Sequence, residues 1–326
     1  MAQVIVVSPE YELETDYLTE FQRTRKIRQN LFYLMDGAES FYTYRGEDFK
    51  ALKWQDEYAF FAQQPFWQPD RTLAFVSLGC GNAGAEKMLL RQAHAEGYPF
   101  AYFGVDSSRT MLRLADRTLA DETFTRMFLL ADFSTAMLRQ TLEELLGIFD
   151  ARLYVMLGGT FGNFEQPVIA GILQTLLTPG DYLYLDIVPL YGEPERDQAL
   201  RARLLQLPQN MPLFFTHLLE RLCIAPEAGE LYGVETPDPD LEAWRYAYFF
   251  RAHDAFTFTC FLGDVALKSG ESLELLTVRA YEPEALKTFM ATYDFEFVTE
   301  YIPDVGRLAH LWQRFLFRKV EIGNGK

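Results

Sequence analysis

From residue 72 to residue 189 the chain alternates short apolar runs with helix-spaced stretches, and this rhythm limits its possible folds more than any other feature. The run 72–80 (TLAFVSLGC) is apolar and ends in glycines, as a buried strand does. Residues 85–97 carry apolar side chains at helical spacing and stop at Gly97. The pattern then repeats: strand 101–106, helix 107–120 with Ser107 or Ser108 as N-cap, strand 126–133, and a helix through Leu146. Strand 151–159, helix 166–177 and strand 181–189 complete it, the last entered by the turn Thr178-Pro179-Gly180. Strands and helices alternating at these lengths predict an α/β fold, a parallel sheet with helices on both faces.

After residue 190 the alternation stops. A helical stretch broken at Pro208 and Pro212 leads into an acidic, proline-dotted segment, 226–240, expected as a loop. Two strand-like runs follow, 247–261 and 271–281, then a helix over 282–293. Strands 296–303 and 310–318 are close enough to form an antiparallel hairpin. Residues 10–65 read as helical and aromatic-rich, through Tyr11, Tyr17, Phe21, Phe32, Tyr33, Phe41, Trp54 and Tyr58. The expected division is a core of residues 71–189 and 282–326, and a discontinuous α+β lobe of residues 1–70 and 190–281.

Composition narrows the partners. A formal net charge of −16 repels nucleic acid and anionic membrane surfaces, and favours a small cationic or zwitterionic substrate. Cys80, Cys223 and Cys260 are odd in number and far apart, which suits neither a disulfide framework nor a zinc site. His94, His217, His253 and His310 show no paired spacing, so no metal is expected. The N-terminus has no basic region ahead of its short apolar run, and no apolar stretch reaches the ~18 residues of a membrane span. A cytoplasmic protein is expected. The 28 Phe and 18 Tyr, many outside the core segments, suggest an aromatic-walled pocket.

Gly79-Cys80-Gly81-Asn82-Ala83-Gly84 follows a strand and opens a helix, so the backbone there is free to turn tightly and approach a ligand. Asp106, at the end of the second core strand, is placed to accept ribose hydroxyls of an adenosine moiety. NAD and S-adenosylmethionine would both use Gly79, Gly81 and Asp106, so these residues leave the two cofactors open. Ala131-Asp132-Phe133 puts a carboxylate and a ring at the end of the third core strand. Gly158-Gly159-Thr160-Phe161-Gly162-Asn163-Phe164 closes the fourth, where open α/β sheets place ligands.

Five parallel strands finished by a helix and an antiparallel hairpin are the outline of a class I methyltransferase. With Leu177-Thr-Pro-Gly-Asp181, Asp106-Ser-Ser108, Ala131-Asp-Phe133 and the 158–164 string, the chain resembles the histidine Nα-methyltransferases of ergothioneine biosynthesis over nearly its whole length. The resemblance implies S-adenosylmethionine held by Gly79, Cys80, Gly81, Asp106, Ser107, Asp132, Phe133, Gly158, Gly159 and Thr160. Asp132 would accept from the adenine amine and Phe133 would cover its face. It also implies Tyr33, Phe41, Asn163 and Leu276 on the substrate side, converging on one cavity, with Asn163 and Tyr33 positioning the nucleophile.

The departures bear on the substrate. The acid of the family's first glycine motif is Ser77 here, and a following Lys falls on Ala85, with Lys87 shifted from it. A Tyr early in the insertion falls near Gln198. The Glu and Ser that grip the imidazole in the family fall on Leu276 and Val278. An apolar pair cannot make those hydrogen bonds, and buried polar recognition discriminates by orders of magnitude. The expectation is therefore methylation of a small amine or amino-acid-like acceptor, with histidine disfavoured. The rivals are an NAD-dependent oxidoreductase and a catalytically silent cofactor-binding protein.

Overall fold

The computed structural model describes residues 3–8, 19–21, 23–27, 54–238, 241–260, 263–302 and 313–321. Its parallel sheet starts with a strand the sequence does not announce. β1 (Gln3–Val6) runs parallel to β4 (Thr125–Leu130), with Gln3 opposite Met127. Next to β4 comes β3 (Phe100–Asp106), then β2 (Leu73–Leu78), β5 (Ala151–Met156) and β6 (Tyr182–Pro189), all parallel. Every residue of β2 is buried, because helices cover both faces of the sheet.

One face carries α1 (Trp54–Phe61), α2 (Lys87–Ala95) and α3 (Arg109–Thr118), which pack Phe61, Leu90 and Leu112 around Phe75. The other carries α4 (Ala136–Leu146) and α5 (Gln166–Leu176), which pack Leu142 and Leu173 around Val76. Where α1 meets the sheet, Phe61 and Tyr184 lie edge to face, 4.8 Å between centroids.

At the far edge of β6 the hairpin arrives as expected. β13 (Gln313–Lys319) lies antiparallel between β6 and β12 (Phe295–Tyr301). The order β4-β3-β2-β5-β6-β13-β12 is the class I methyltransferase topology, with β1 as an added edge.

β6 has a second partner. Its last residues, Val188 and Pro189, pair in parallel with Ala280 and Tyr281 of β11 (Ser272–Tyr281). β11 continues antiparallel to β8 (Ala243–Ala252), and β8 to β7 (Gly229–Pro237). The acidic segment expected as a loop is thus largely a strand. It is tolerated at this sheet's edge, where Pro237, as the last residue, interrupts no central ladder. The run expected as one strand over 247–261 breaks at 253–255, so β9 (Phe256–Cys260) instead forms a two-stranded sheet with β10 (Gly263–Leu267).

Helices α6 (Pro194–Leu205), α7 (Leu207–Asn210) and α8 (Pro212–Arg221) cover the β11-β8-β7 sheet. Pro208 and Pro212 each sit in the first turn of a new helix, which is where the sequence breaks the stretch. Phe215, Leu219, Tyr246, Tyr248, Leu273 and Leu276 form the core between them. α9 (Pro283–Ala291) links β11 to β12. No helix among the described residues is long and apolar enough to cross a membrane.

Candidate functional site

The turn after β2 is shaped by its neighbours on either side. Gly79 has φ +69, and a Cβ on it would come within 3.1 Å of Thr160 Cγ2, so the turn and the loop after β5 meet there. A Cβ on Gly81 would meet nothing within 4 Å; the backbone at that point borders open space. Gly81 N donates to Asp106 Oδ2 at 2.9 Å, which ties the turn to the end of β3. Asp106 Oδ1 accepts from Ser108 N at 2.9 Å.

Ser108, and not Ser107, caps α3: its Oγ accepts from Met111 N at 3.2 Å. Asp106 thus helps to start that helix as well as facing the turn. The Cys80 thiol is buried and donates to Gly81 O at 3.6 Å. Burial, and then the carboxylates of Asp106 and Glu86, push its pKa up, so it stays a neutral thiol.

The loop after β5 is pinned from two directions. Gly158 N and Gly159 N donate to Asp186 Oδ2 and Oδ1 at 2.8 and 2.9 Å, and Asp186 is buried on β6. Thr160 Oγ1 donates to Leu157 O at 2.8 Å. From β11, Arg279 reaches the other end. Its Nη1 donates to Gly162 O at 3.1 Å and Phe164 O at 2.6 Å, bracketing Asn163. Its Nη2 meets Glu165 at 2.7 Å and its Nε meets Asp238 at 2.6 Å, with the guanidinium 1% exposed. Asn163 itself is half-buried, and its amide makes no hydrogen bond among the described residues. Phe164 packs edge to face on Phe133, 5.3 Å between centroids. Asp132 Oδ1 accepts from Ser134 N and Oγ at 2.8 and 2.6 Å, turning the chain toward α4.

Behind the glycine turn lies a buried polar layer. Ser77 Oγ donates to Glu86 Oε1, while Glu86 Oε2 and Tyr102 Oη are buried without hydrogen-bond partners among the described residues, as is Asn82 Nδ2 nearer the turn. Burial pushes the Glu86 carboxyl up to about 7. In the same layer Tyr184 Oη donates to Glu57 Oε1 at 2.9 Å and Arg314 pairs with the same oxygen. Burial raises the pKa of Glu57 despite the opposing pull of Arg314. Arg314 stands opposite Asp186 in the β13–β6 register.

The fold therefore gathers Gly79, Cys80, Gly81, Asp106, Gly158, Gly159 and Thr160 at the carboxyl ends of β2, β3 and β5, with Asp132 and Phe133 at the end of β4 and Phe133 against the loop. Ser107 sits between Asp106 and the cap. Leu276 is buried in the core under β11, and Val278 packs against that core. Thr277 and Arg279, alternating with them, carry their polar groups on the opposite face. Tyr33 and Phe41 lie outside the described residues. Three site residues escape the sequence reading: Asp186, Glu86 and Arg279. The available signal for two of them was a lone charge inside an apolar strand, in DYLYLDIVP and LLTVRAY, since such a charge needs a built partner.

A family model described as histidine-specific, S-adenosylmethionine-dependent methyltransferase matches residues 16–186. No curated protein sequence matches the chain. Among solved structures, a protein from Pyrococcus horikoshii aligns at 14% identity and TM-score 0.46, over 88% of this chain and 99% of that one. An S-adenosylmethionine-dependent methyltransferase from Clostridium acetobutylicum aligns at 11% and 0.45, over 87% and 98%. The 1,6-didemethyltoxoflavin-N1-methyltransferase of Burkholderia thailandensis, solved with 1,6-didemethyltoxoflavin and S-adenosylhomocysteine, aligns at 12% and 0.42, over 96% and 92%.

Proposed function

The chain belongs to the histidine-specific, S-adenosylmethionine-dependent methyltransferase family, and from that premise we propose that it methylates an amine of a small, amino-acid-like acceptor other than histidine. Membership sets aside the dinucleotide reading of the glycine turn. The acceptor reading is carried by the commitments on the β11 face turned toward the Asn163 loop. Glu274 is paired with Arg245 and Lys26, Thr277 donates to Glu274, and Arg279 spends its donors on Asp238, Glu165 and two carbonyls. Leu276 and Val278, at the family's two imidazole-gripping positions, are apolar and support the sheet from behind. A histidine ring would lose the hydrogen bonds on which that selectivity rests.

The turn suits an adenosyl cofactor: open space at Gly81, the Asp106 carboxylate beside it, and close by the Asn82 and Glu86 polar atoms that have no partner among the described residues. When bound, the cofactor supplies an electrophilic methyl on a sulfonium. In this reading the backbone of Gly79, Cys80 and Gly81 lines it, and Asp106 and Ser107 face its ribose. Asp132 and Phe133 hold its adenine. Gly158, Gly159 and Thr160 wall the side toward the acceptor. Asn163, with its unspent amide, orients the acceptor nitrogen together with Tyr33, while Phe41 helps exclude water. A neutral amine needs alignment more than a strong base, which suits a loop fixed at both ends. In this reading the substrate-covering lobe is residues 190–281 with the part of 1–70 outside β1 and α1, which join the core of 71–189 and 282–326 instead. The net charge of −16 speaks against nucleic acid and anionic membrane surfaces as partners.

Thermal-shift and turnover assays on the full chain test this. S-adenosylmethionine and S-adenosylhomocysteine are expected to raise the melting temperature while NAD does not. Mass spectrometry should show a methyl gained by an amine in a small-molecule panel, with histidine unchanged. Efficient trimethylation of histidine would overturn the acceptor reading. Binding without turnover on any acceptor would point to a silent cofactor-binding protein.

A further inference from the structure

In the buried layer behind the glycine turn, Glu57 and Glu86 each keep a carboxylate oxygen with no hydrogen-bond partner among the described residues. Glu57 is paired with Arg314 through its other oxygen, whereas the other oxygen of Glu86 takes the hydroxyl of Ser77. We propose that Glu86 balances the positive charge of the bound sulfonium cofactor and releases its proton to solvent as that cofactor binds. The inference rests on the reading above that the glycine turn holds S-adenosylmethionine.

Glu86 is 2% exposed, immediately precedes α2, and receives the hydroxyl of Ser77, two residues before Gly79. Its Oε2 is buried with no hydrogen-bond partner among the described residues, a state that costs free energy unless the carboxyl is neutral or a ligand supplies the partner. The position also answers a gap in the sequence. Ser77 stands where the first glycine motif of the family carries an acid, and the Glu86 side chain brings a carboxylate back to that place from the following helix.

Around Glu86, β2 and its turn contribute Ser77 and Cys80, β3 contributes Tyr102, α1 contributes Glu57 and β6 contributes Asp186. Asp106, at the end of β3, acts on the same thiol as Glu86. Arg314, from β13, is paired with Glu57, and Lys87, next in the chain, is half-exposed. Burial among acids holds the Glu86 carboxyl near 7, so at neutral pH a large share of it is protonated. A cationic ligand nearby favours the carboxylate, and the O–H bond breaks with the proton passing to solvent. S-adenosylhomocysteine has the same adenosine, ammonium and carboxylate groups but a neutral thioether sulfur. It lacks the charge that would drive this ionisation.

The sign follows by linkage: a proton released on binding makes binding tighter as pH rises. Affinity for S-adenosylmethionine should increase roughly tenfold between pH 6 and pH 8, while that for S-adenosylhomocysteine stays flat. Calorimetry of the full chain with both ligands, in buffers of different ionisation enthalpy, counts the protons. The expected result is about one proton released per S-adenosylmethionine near pH 6, little near pH 8, and none for S-adenosylhomocysteine at either. Glu86→Gln keeps an acceptor for Ser77 and should abolish the release and the pH slope, weakening the sulfonium ligand selectively. Equal proton counts for the two ligands, or an unchanged count in Glu86→Gln, would overturn the proposal. If that variant does not fold, the wild-type comparison of the two ligands decides alone. Absence of heat with either ligand would instead remove the cofactor reading on which the proposal stands.

Discussion

Asp106 joins separate stretches of backbone with two oxygens, holding Gly81 N on one and Ser108 N on the other. A carboxylate oxygen can accept more than one hydrogen bond, so accepting a ribose hydroxyl is compatible with holding the turn. Replacing it removes a ligand acceptor and strands two backbone donors together. Asp106→Ala is expected to weaken S-adenosylmethionine binding by about 2 kcal/mol or more, read by calorimetry, and to lower the melting temperature. Asp106→Asn, which retains one acceptor oxygen, should lose less. Unchanged affinity in folded Asp106→Ala would take the residue out of the site. Asp132 carries a similar double duty, since the oxygen that holds Ser134 belongs to the carboxylate read as facing the adenine.

The loop that presents Asn163 depends on a different strand from the one that produces it. Arg279 bonds the carbonyls on either side of Asn163 and is buried against Asp238, which is 8% exposed. Arg279→Met leaves that carboxylate without its cation and should cost about 3–5 kcal/mol in denaturant unfolding. Arg279→Lys should not restore turnover, because one ammonium cannot span acceptors set out for a planar fork. Full stability and turnover in either variant would mean that other contacts hold the loop.

The loop and its support also mark how far the sequence can be read. The 158–164 string is legible because turn geometry is written locally in its glycines. Strands β2 to β6 are legible because burial on both faces leaves near-continuous apolar runs. β7 is not, because its residues are mostly half-exposed at a sheet edge and include Glu230, Glu235, two glycines and Pro237, which reads as loop. β1 is not, because four residues gain strand character only from Met127 to Leu130, far along the chain. Arg279, Asp186 and Glu86 are polar residues whose partners come from other elements, and no local pattern names those partners.

At the scale of the whole molecule, β6 is the joint. It pairs with β5 and β13 in the larger sheet and with β11 at its last two residues, so both apolar cores rest on one strand. Heating should therefore give one cooperative transition, with calorimetric and van 't Hoff enthalpies in agreement, which S-adenosylmethionine moves as a unit. Two resolved transitions would show that the cores melt independently. The same strand carries a cost measured in time. During synthesis the ribosome delivers β6 well before β13, yet Leu183, Leu185 and Ile187 find their antiparallel partners only in Phe317, Phe315 and Gln313. Until β13 emerges, the nascent chain carries an open, apolar strand edge, and completion of the sheet waits on that later strand.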